Sequence, residues 1–546
     1  MALGILEDNK LEHVPGTAPL NELGTDVYNT SGVDSSILKH DPTGKVVLVP
    51  QPSDSPNDPY NWPKWKKERF TVTYAIACGA VGAVGPLVGA AFVGLAAEFG
   101  IPLASFVSGV QGGVIIAIAF GSLFWNAMAV KYGKRPVYLI TTLGLAVTCF
   151  WAGAAKSFAS LVAARVIQGF CMAPLEALVP ASIADVWFVH ERGYRSAIFN
   201  LGVLGGINLA QPIVWKLQDC VPRHGRAFVI CLIMIFFWMP ETAYVRTGAV
   251  NLDTGSKDIA TEINIAHKAA AEHVDHVEEK TTISQNPHDT TSSPEEARHS
   301  FAKELLPYSG YVNHVSLVNT MFRPFVMLGS PAVLWATLLF TTCISWLVGI
   351  SVTLSQIFSA PPYNFSVLEV GLTNLSSFVA SIIGTLIAGP LIDGMVRKLS
   401  KRNGGTFEPE FRLPIMVTYL IFTATGFFAW GQSAKAQDPW EIPVIVCLGL
   451  INFGIQLGTT GVVSYVVDCH RDKAGEAFAV MNFVKNGFAF GLTFYINNWV
   501  ATSGVRNSFF TIGGLTIAAS LFTIPMYIYG KRARSWTYRH NIAGKA

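Results

Sequence analysis

The sequence predicts an all-α membrane protein in which twelve transmembrane helices form two pseudo-symmetric six-helix bundles. Its 546 residues are 51% hydrophobic and only 14% charged, whereas a soluble domain usually carries about a quarter charged residues. The hydrophobic residues come in twelve blocks, each close to the roughly twenty residues that a helix needs to cross a bilayer. Short motifs in the first six blocks recur in the last six, which predicts two related halves.

The twelve predicted helices, numbered 1 to 12 in chain order, cover residues 70–96, 104–128, 136–155, 159–187, 196–217, 226–242, 333–358, 366–392, 413–434, 440–467, 474–500 and 508–530. They divide the chain into a cytoplasmic N-terminal arm, a first bundle, a cytoplasmic central linker, a second bundle and a cytoplasmic tail, which are residues 1–69, 70–242, 243–332, 333–530 and 531–546. The middle of the linker is polar and charged, so it is too poor in hydrophobic residues to form a core.

The positions of Lys and Arg predict the orientation, because the cytoplasmic loops of membrane proteins carry an excess of these residues. With the N-terminus inside, the inner loops are basic; the loop after helix 2, for example, holds Lys131, Lys134 and Arg135. One predicted outer loop, residues 215–226, breaks the rule with three cations, and the predicted helix 6 after it is short. The plasma membrane is the expected location, and the vacuole is an alternative that the sequence leaves open.

A motif between helices 2 and 3 is repeated between helices 8 and 9. Gly121 and Gly384 are the matching glycines, and a basic stretch follows each of them. Nine residues after its glycine, the first copy has Val130 where the second has Asp393. Two six-helix halves that both start inside are typical of transporters that hold their site between the halves at mid-membrane.

The basic stretch after helix 2 predicts a gate at the inner face. Gly133 permits a tight turn because glycine has no Cβ, and the neighbouring cations can form ion pairs that stabilise one conformation. The first copy of the motif lacks an acid at Val130. We expect Asp185, at the inner end of helix 4, to take over part of the role of that acid. The predicted gating residues are Gly121, Gly133, Lys134, Arg135, Asp185, Asp393 and Arg397. The alternative is that the cations only set the topology.

Three ionisable residues are predicted to lie within the membrane, where an unpaired charge costs several kcal/mol. Arg165 and Glu176 are about three turns apart on helix 4, and Lys485 is near the middle of helix 11. Glu176 is the leading candidate for proton coupling or for contact with a cation, because a buried carboxylate can load and release protons near working pH. The alternative is a purely structural pair between Glu176 and either Lys485 or Arg165.

Uncharged polar residues in the predicted helices extend the candidate pathway for substrate or protons. They are Gln168, Asn208, Gln456 and Asn486. Each of them fits an interhelical hydrogen bond equally well.

The sequence lacks the patterns that would indicate other functions. It has no Walker loop for ATP, no catalytic constellation and no cysteine spacing for a metal, so we expect neither an enzyme nor a cofactor, metal or nucleic-acid partner. Asn364 begins an Asn-Phe-Ser triplet in a predicted outer loop and is a candidate for glycosylation.

Several segments resemble the major facilitator superfamily. These are the YGKRP stretch after helix 2, RVIQG in helix 4 and MPETAYVR after helix 6, together with NWPKWKK before helix 1. The branch that the chain resembles is that of the fungal twelve-helix drug:proton antiporters. Val130, in place of the usual acid, and the helix 5 segment LGVLGGINLAQP depart from the pattern of that branch.

The resemblance implies a monomeric secondary active transporter that works by alternating access, with a small molecule, protons and membrane lipids as its partners. Proton-coupled export of a drug-like compound or secondary metabolite is the first expectation. Import of a nutrient or of an organic cation such as a polyamine is the alternative. A hypothesis from another class is a membrane sensor or scaffold that does not transport, which the short predicted helix 6 would fit.

Overall fold

Twelve membrane helices account for most of the chain that the computed structural model describes, namely residues 3–11, 14–19, 48, 52–53, 55–86, 88, 92–213, 217–244, 298–308, 310–312, 315–470 and 473–542. In the first half, helix 1 has two segments, and helices 2 to 6 follow it: Lys64–Val84 with Phe92–Phe99, Leu103–Tyr132, Lys134–Ala154, Phe158–Val186, Val189–Ile213 and Leu217–Trp238. In the second half, helices 7 to 12 are Pro331–Phe358, Leu368–Arg402, Ile415–Ala436, Ile442–Cys469, Ala474–Ser503 and Val505–Arg539.

This architecture confirms the predicted fold class. Among the described residues, eight helices are long and apolar enough to cross a membrane, and the other four lie alongside them in two groups of six. Helix 5 packs against helix 8, and helix 2 packs against helix 11, so these two helix pairs form the seams between the bundles. We call the end of the bundles that carries Arg135 and Arg402 the basic end.

Helix 6 differs from its prediction. The helix runs from Leu217 to Trp238 and has 22 residues, so the prediction of a short helix beginning at residue 226 was wrong. Hydropathy misplaced the start because the first residues of the helix are polar, and only Gly225–Trp238 is apolar throughout. The helix ends at Trp238, whereas the prediction extended it to residue 242, because Pro240 disfavours helical geometry in the residue that precedes it.

The central linker contains structure at its C-terminal end. A short helix, Phe301–Glu304, is followed by an eleven-residue helix, Leu317–Met327, which we call the linker helix. Lys66 of helix 1 forms a 2.8 Å ion pair with Glu304. The polar middle of the linker, residues 245–297, lies outside the described residues.

The N-terminal arm, which leads into the first bundle, contacts the second bundle. Residues 3–11 and 14–19, which we call the N-terminal strap, lie on the basic end of the second bundle. Glu7 pairs with Lys531 at 2.6 Å, Thr17 donates a 2.7 Å hydrogen bond to Glu408, and Ala18–Pro19 forms a two-residue β-ladder with Thr406–Phe407. Two strap residues, Ile5 and Val14, are buried.

A buried cluster of charges lies beneath the strap. Arg534 of helix 12 pairs with Glu408 at 2.7 Å and with Glu410 at 2.8 Å, and Lys531 pairs with Glu408 at 2.8 Å. Burial alone would raise the pKa of Glu408, but these two cations hold it below its ordinary value. Glu408 therefore stays ionised at neutral pH, and its ion pairs tie helix 12 to the segment just before helix 9.

Helices 1 and 5 are packed more closely than side chains would permit. A Cβ added to Gly206 of helix 5 would fall on the carbonyl oxygen of Gly79 in helix 1, and one added to Gly82 would fall on the carbonyl oxygen of Val203. Small residues at such crossings let two backbones come into direct contact. The glycines of these helices therefore fix the spacing within the first bundle.

We expect Gly206→Ala to destabilise the protein by about 1–3 kcal/mol, because the added methyl group must push helices 1 and 5 apart. Thermal unfolding of the purified protein in detergent measures the effect. Gly514→Ala is the matched control, because a Cβ at Gly514 of helix 12 would meet no atom within 4 Å. Equal losses of stability in the two variants would contradict the close approach.

Candidate functional site

An ion pair joins the two bundles near the middle of the membrane helices. Glu176 of helix 4 and Lys485 of helix 11 lie with Oε2 and Nζ 2.9 Å apart, and their side chains are 12% and 7% exposed. The Lys485 ammonium also lies 5.5 Å from the centre of the Phe340 ring in helix 7. An ion pair that is this well removed from solvent loses much of its stabilising effect when either charge is removed, because the other charge is then left buried and unpaired.

Arg165 does not pair with Glu176, contrary to one of the two predicted alternatives. Its guanidinium donates to the carbonyl oxygens of Val84 and Gly85, both at 2.9 Å, and to Oε1 of Gln168 at 2.8 Å. Val84 and Gly85 lie where the first segment of helix 1 ends. Free carbonyls at a helix C-terminus carry partial negative charge and attract cations, so Arg165 stabilises the break in helix 1.

A second polar group crosses the seam between helices 5, 8 and 10. Asn208 of helix 5 donates to Ser381 at 3.3 Å and to Asn452 at 3.1 Å, and Asn452 donates to Ser377 at 2.9 Å. Gln456, one turn beyond Asn452, donates to the carbonyl oxygen of Ala197 at 3.3 Å and to Thr385 at 2.7 Å. Both bundles therefore contribute to this hydrogen-bonded group.

Three of the predicted pathway residues keep a polar atom without a hydrogen-bond partner in the described part of the chain. These atoms are Nε of Arg165, Oε1 of Gln456 and Nδ2 of Asn486, and all three are buried. Buried polar atoms are nearly always paired with protein or water, so each exception needs an explanation. Unpaired groups along a bundle interface are available to water, protons or a ligand.

At the basic end, the start of helix 3 is held by two carboxylates and four backbone carbonyl oxygens. Lys134 forms a 2.5 Å ion pair with Asp185, and the backbone N–H groups of Lys134 and Arg135 each donate at 3.0 Å to the carboxylate of Glu241. The Arg135 guanidinium binds carbonyl oxygens at the end of helix 6 and in the linker, those of Phe236, Met239, Leu305 and Leu306. Gly133 has φ of 91°, and a Cβ there would overlap the Glu241 carboxylate.

The second half carries a charge cluster that connects the bundles at the basic end. Arg412, just before helix 9, pairs with Asp468 of helix 10, and its Nη1 lies 3.7 Å from Oδ1 of Asp393 in helix 8. Arg192 of helix 5 approaches the same Asp468 at 3.6 Å, and Arg412 donates to the carbonyl oxygen of Val189 at 3.3 Å. We call Arg192, Asp393, Arg412 and Asp468 the inter-bundle charge cluster.

Arg397 and Asp393 were predicted to act together, and the structure separates their charged groups. Arg397 is exposed, and its Nε donates only to the backbone oxygen of Asp393, at 3.4 Å. The carboxylate of Asp393 instead lies against the N-terminus of helix 5, where a Cβ on Gly193 would overlap it. Arg412 therefore occupies the position that sequence reasoning gave to Arg397.

The two halves have Val130 and Asp393 at matching positions, and the two seams between the bundles differ accordingly. Helix 8 meets the start of helix 5 through the Asp393 carboxylate, whereas helix 2 meets the start of helix 11 through uncharged groups. Asn126 of helix 2 lies against Gly475, with Oδ1 2.8 Å from where a Cβ would stand, and Ser122 donates to the carbonyl oxygen of Ala479 at 3.0 Å. Gly121 serves packing within the first bundle, since its Cβ would lie 2.8 Å from the carbonyl oxygen of Phe170.

The bundles also touch at the end opposite the basic end. Ile496 and Val500 of helix 11 belong to one hydrophobic cluster with Val88, Phe92 and Phe106 of helices 1 and 2. The mid-depth ion pair therefore lies between two layers of contact, one charged and one apolar. Asn364 is exposed in the loop between helices 7 and 8 at this opposite end, so the glycosylation triplet is accessible in the folded chain.

Sequence reasoning missed Glu241, Arg192 and Arg412 as members of these contacts. Glu241 lies in the MPET segment, whose resemblance was noted without a role for the acid. Arg412 immediately precedes the helix 9 block, as Arg135 precedes the block of helix 3, so the internal repeat contained a signal for it. Arg192 lies between predicted helices 4 and 5, and nothing in the neighbouring sequence indicates that it would be buried.

We expect Asp468→Asn to destabilise the protein by about 3–5 kcal/mol, because two buried guanidinium groups would lose their shared carboxylate. Thermal unfolding in detergent provides the measurement. Arg397→Gln is the matched control: it also removes one charge at the basic end, but from an exposed side chain, and it should change stability by less than about 0.5 kcal/mol. A loss from Asp468→Asn no larger than that of the control would contradict the cluster.

The sequence matches the family profile described as the Major Facilitator Superfamily over residues 70–493. It is 25% identical to Protein HOL1 of Saccharomyces cerevisiae, in an alignment that covers 97% of this chain and 96% of the relative. It is 26% identical to the Multidrug transporter DTR1 of Candida glabrata, with 82% of each chain covered.

Among solved structures, the proton:xylose symporter XylE aligns with a TM-score of 0.57 at 13% identity, over 85% of this chain and 97% of that chain. An identity this low supports the shared fold alone. Together with the profile match across most of the membrane helices, these similarities establish that the chain belongs to the Major Facilitator Superfamily.

Proposed function

We propose that this membrane transporter of the Major Facilitator Superfamily exports a small organic molecule by alternating access and couples that movement to protons. The observation that carries the proposal is the Glu176–Lys485 ion pair, which connects the two bundles at mid-depth across 2.9 Å. Members of this family are transporters and not enzymes. Proton coupling, substrate class and direction are the proposed parts.

The ion pair offers a simple route from proton binding to a change of conformation. When Glu176 takes up a proton, Lys485 loses its counter-charge and is left as a buried ammonium. The attraction that holds helix 4 to helix 11 then becomes a desolvation cost, which favours separation of the bundles and access of water. A positively charged substrate would have a similar effect by competing with Lys485 for the carboxylate.

The contacts at the two ends act as gates in this scheme. The inter-bundle charge cluster closes the basic end, and the cluster around Ile496 closes the other end. Alternating access requires that one layer open while the other remains closed. We place the basic end in the cytoplasm, because its excess of Lys and Arg follows the rule for cytoplasmic loops. The proposal also takes the transporter to be a monomer in the plasma membrane.

A drug-like substrate is preferred because DTR1 is named a multidrug transporter, and export is preferred because the sequence resembles drug:proton antiporters. A proton-coupled importer of an organic cation remains the second candidate, and the observation that favours it is the carboxylate of Glu176 at mid-depth, which suits a cationic substrate. One of the observations behind the predicted sensor or scaffold was a short helix 6, and that helix is 22 residues long.

We expect Glu176→Gln to abolish proton-coupled flux while substrate binding persists, because the amide cannot load a proton. The protein is reconstituted in vesicles with an imposed pH gradient, and a panel of drug-like and polyamine compounds is screened for flux and for movement of protons. The sign of the gradient that drives accumulation distinguishes export from import.

The matched control is Glu369→Gln, which removes an exposed acid at the start of helix 8 and should leave coupling intact. Normal pH-driven flux in Glu176→Gln would remove this residue from the mechanism. Flux that is unaffected by a protonophore would reject proton coupling altogether.

A further inference from the structure

The linker helix, Leu317–Met327, exposes a continuous hydrophobic stripe. Val318, Phe322 and Val326 are 64%, 56% and 37% exposed, and their spacing of four residues places them along one side of the helix. The opposite side, formed by Thr320, Pro324 and Met327, is buried against the bundles. An exposed apolar stripe on a helix that is already packed on its other side indicates a second, apolar surrounding.

The linker helix lies across the seam between the two bundles. It contacts helix 2 of the first bundle and helix 11 of the second. The Phe325 ring lies 5.2 Å from that of Phe483 in helix 11, which in turn lies 5.6 Å from the Phe120 ring in helix 2. Any separation of helices 2 and 11 at the basic end must therefore break contacts made by this helix.

The surroundings of the stripe identify its partner as lipid. Helix 2, which the linker helix contacts, and helix 7, which follows it in the chain, also expose apolar side chains, since Phe120 and Leu334 are each 57% exposed. Arg323 follows Phe322 and lies about a third of a turn from it around the helix axis. An apolar face bordered by a cation is typical of helices that lie in the plane of a membrane interface and contact anionic headgroups.

We propose that the linker helix is an interfacial lipid anchor: its stripe enters the leaflet at the basic end, and Arg323 binds the phosphate of an anionic phospholipid. The anchor holds the seam between helices 2 and 11 against the membrane surface. Lipid headgroup charge thereby acts on the gate at the basic end, through a helix that belongs to neither bundle. This role does not depend on the identity of the transported molecule.

Lipid quenching of a fluorophore tests the contact directly. Phe322→Cys is labelled with an environment-sensitive dye, and the full chain is reconstituted in phosphatidylcholine vesicles with or without acyl-brominated phosphatidylcholine. We expect a loss of about half of the emission in brominated vesicles, as for a side chain below the headgroups. Leu338→Cys on lipid-facing helix 7 is the positive control, and the unsubstituted chain reports background, since its seven described cysteines are buried.

Two outcomes would overturn the proposal. If the dye at position 322 is not quenched while that at 338 is, lipid does not cover the stripe. If quenching at 322 appears only after residues 245–297 are deleted, the linker itself covers it.

A second experiment tests the contact between Arg323 and the lipid headgroup. Adding phosphatidylglycerol to the vesicles should deepen quenching at 322, and Arg323→Gln should remove that increment while leaving quenching in pure phosphatidylcholine unchanged. An increment that survives Arg323→Gln would overturn the assignment of the anionic headgroup to this residue. Thermal unfolding of each variant verifies that the chain is folded.

Discussion

The packing of the two bundles against each other depends on ion pairs between charges that are buried at their interface. Glu176 and Lys485 are each removed from water by the bundle to which they belong, and each has its ionic partner in the other bundle. Neither half can therefore be fully stable without its partner in the closed arrangement. In the proposed mechanism, the interaction that stabilises this arrangement is also the one that a proton or a cation would cancel, so stability and conformational change would depend on one pair of atoms.

The contacts at the basic end extend this principle, but unequally in the two halves. One seam is held by guanidinium and carboxylate groups around Asp468, and the other by Asn126, Ser122 and close backbone contact. A charged seam responds to protonation of its carboxylates, whereas a seam of close packing has no group that titrates. The replacement of an acid by Val130 in an otherwise repeated motif is thus a structural asymmetry, with one strong charged contact in place of two.

Segments outside the bundles add a further layer of connection. The N-terminal strap is covalently linked to the first bundle and lies on the second, while residues 298–312 lead into the second bundle and contact the first through Glu304 and Leu305. At its basic end, each bundle thus contacts a segment that is directly connected along the chain to the other bundle. Hydropathy could not reveal this crossing, because both segments are polar and gave only the expectation of an arm and a linker.

Sequence reasoning recovered the helices and their order because hydrophobic length and the internal repeat are local signals. It predicted Glu176 and Lys485 as buried ionisable residues and Lys134 and Asp185 as gating residues, and the structure pairs them; their roles stay predictions, and two partners had been left open for Glu176. The choice between Arg165 and Lys485 depends on how the bundles face each other, which no local pattern records. Helix 6 was started late, and Arg412 was passed over, because polar residues at helix ends resemble loops in a hydropathy profile.

The most direct test of the inter-bundle pair is a double-mutant cycle on Glu176 and Lys485. Glu176→Gln, Lys485→Met and the double variant are compared by thermal unfolding in the same detergent. If the pair exists, each single substitution should lower the stability of the protein more than the double substitution does. Each single variant leaves one buried charge unpaired, and the double variant removes that charge as well. Losses that simply add would contradict the pair, and with it the account of how the two bundles are held together and released.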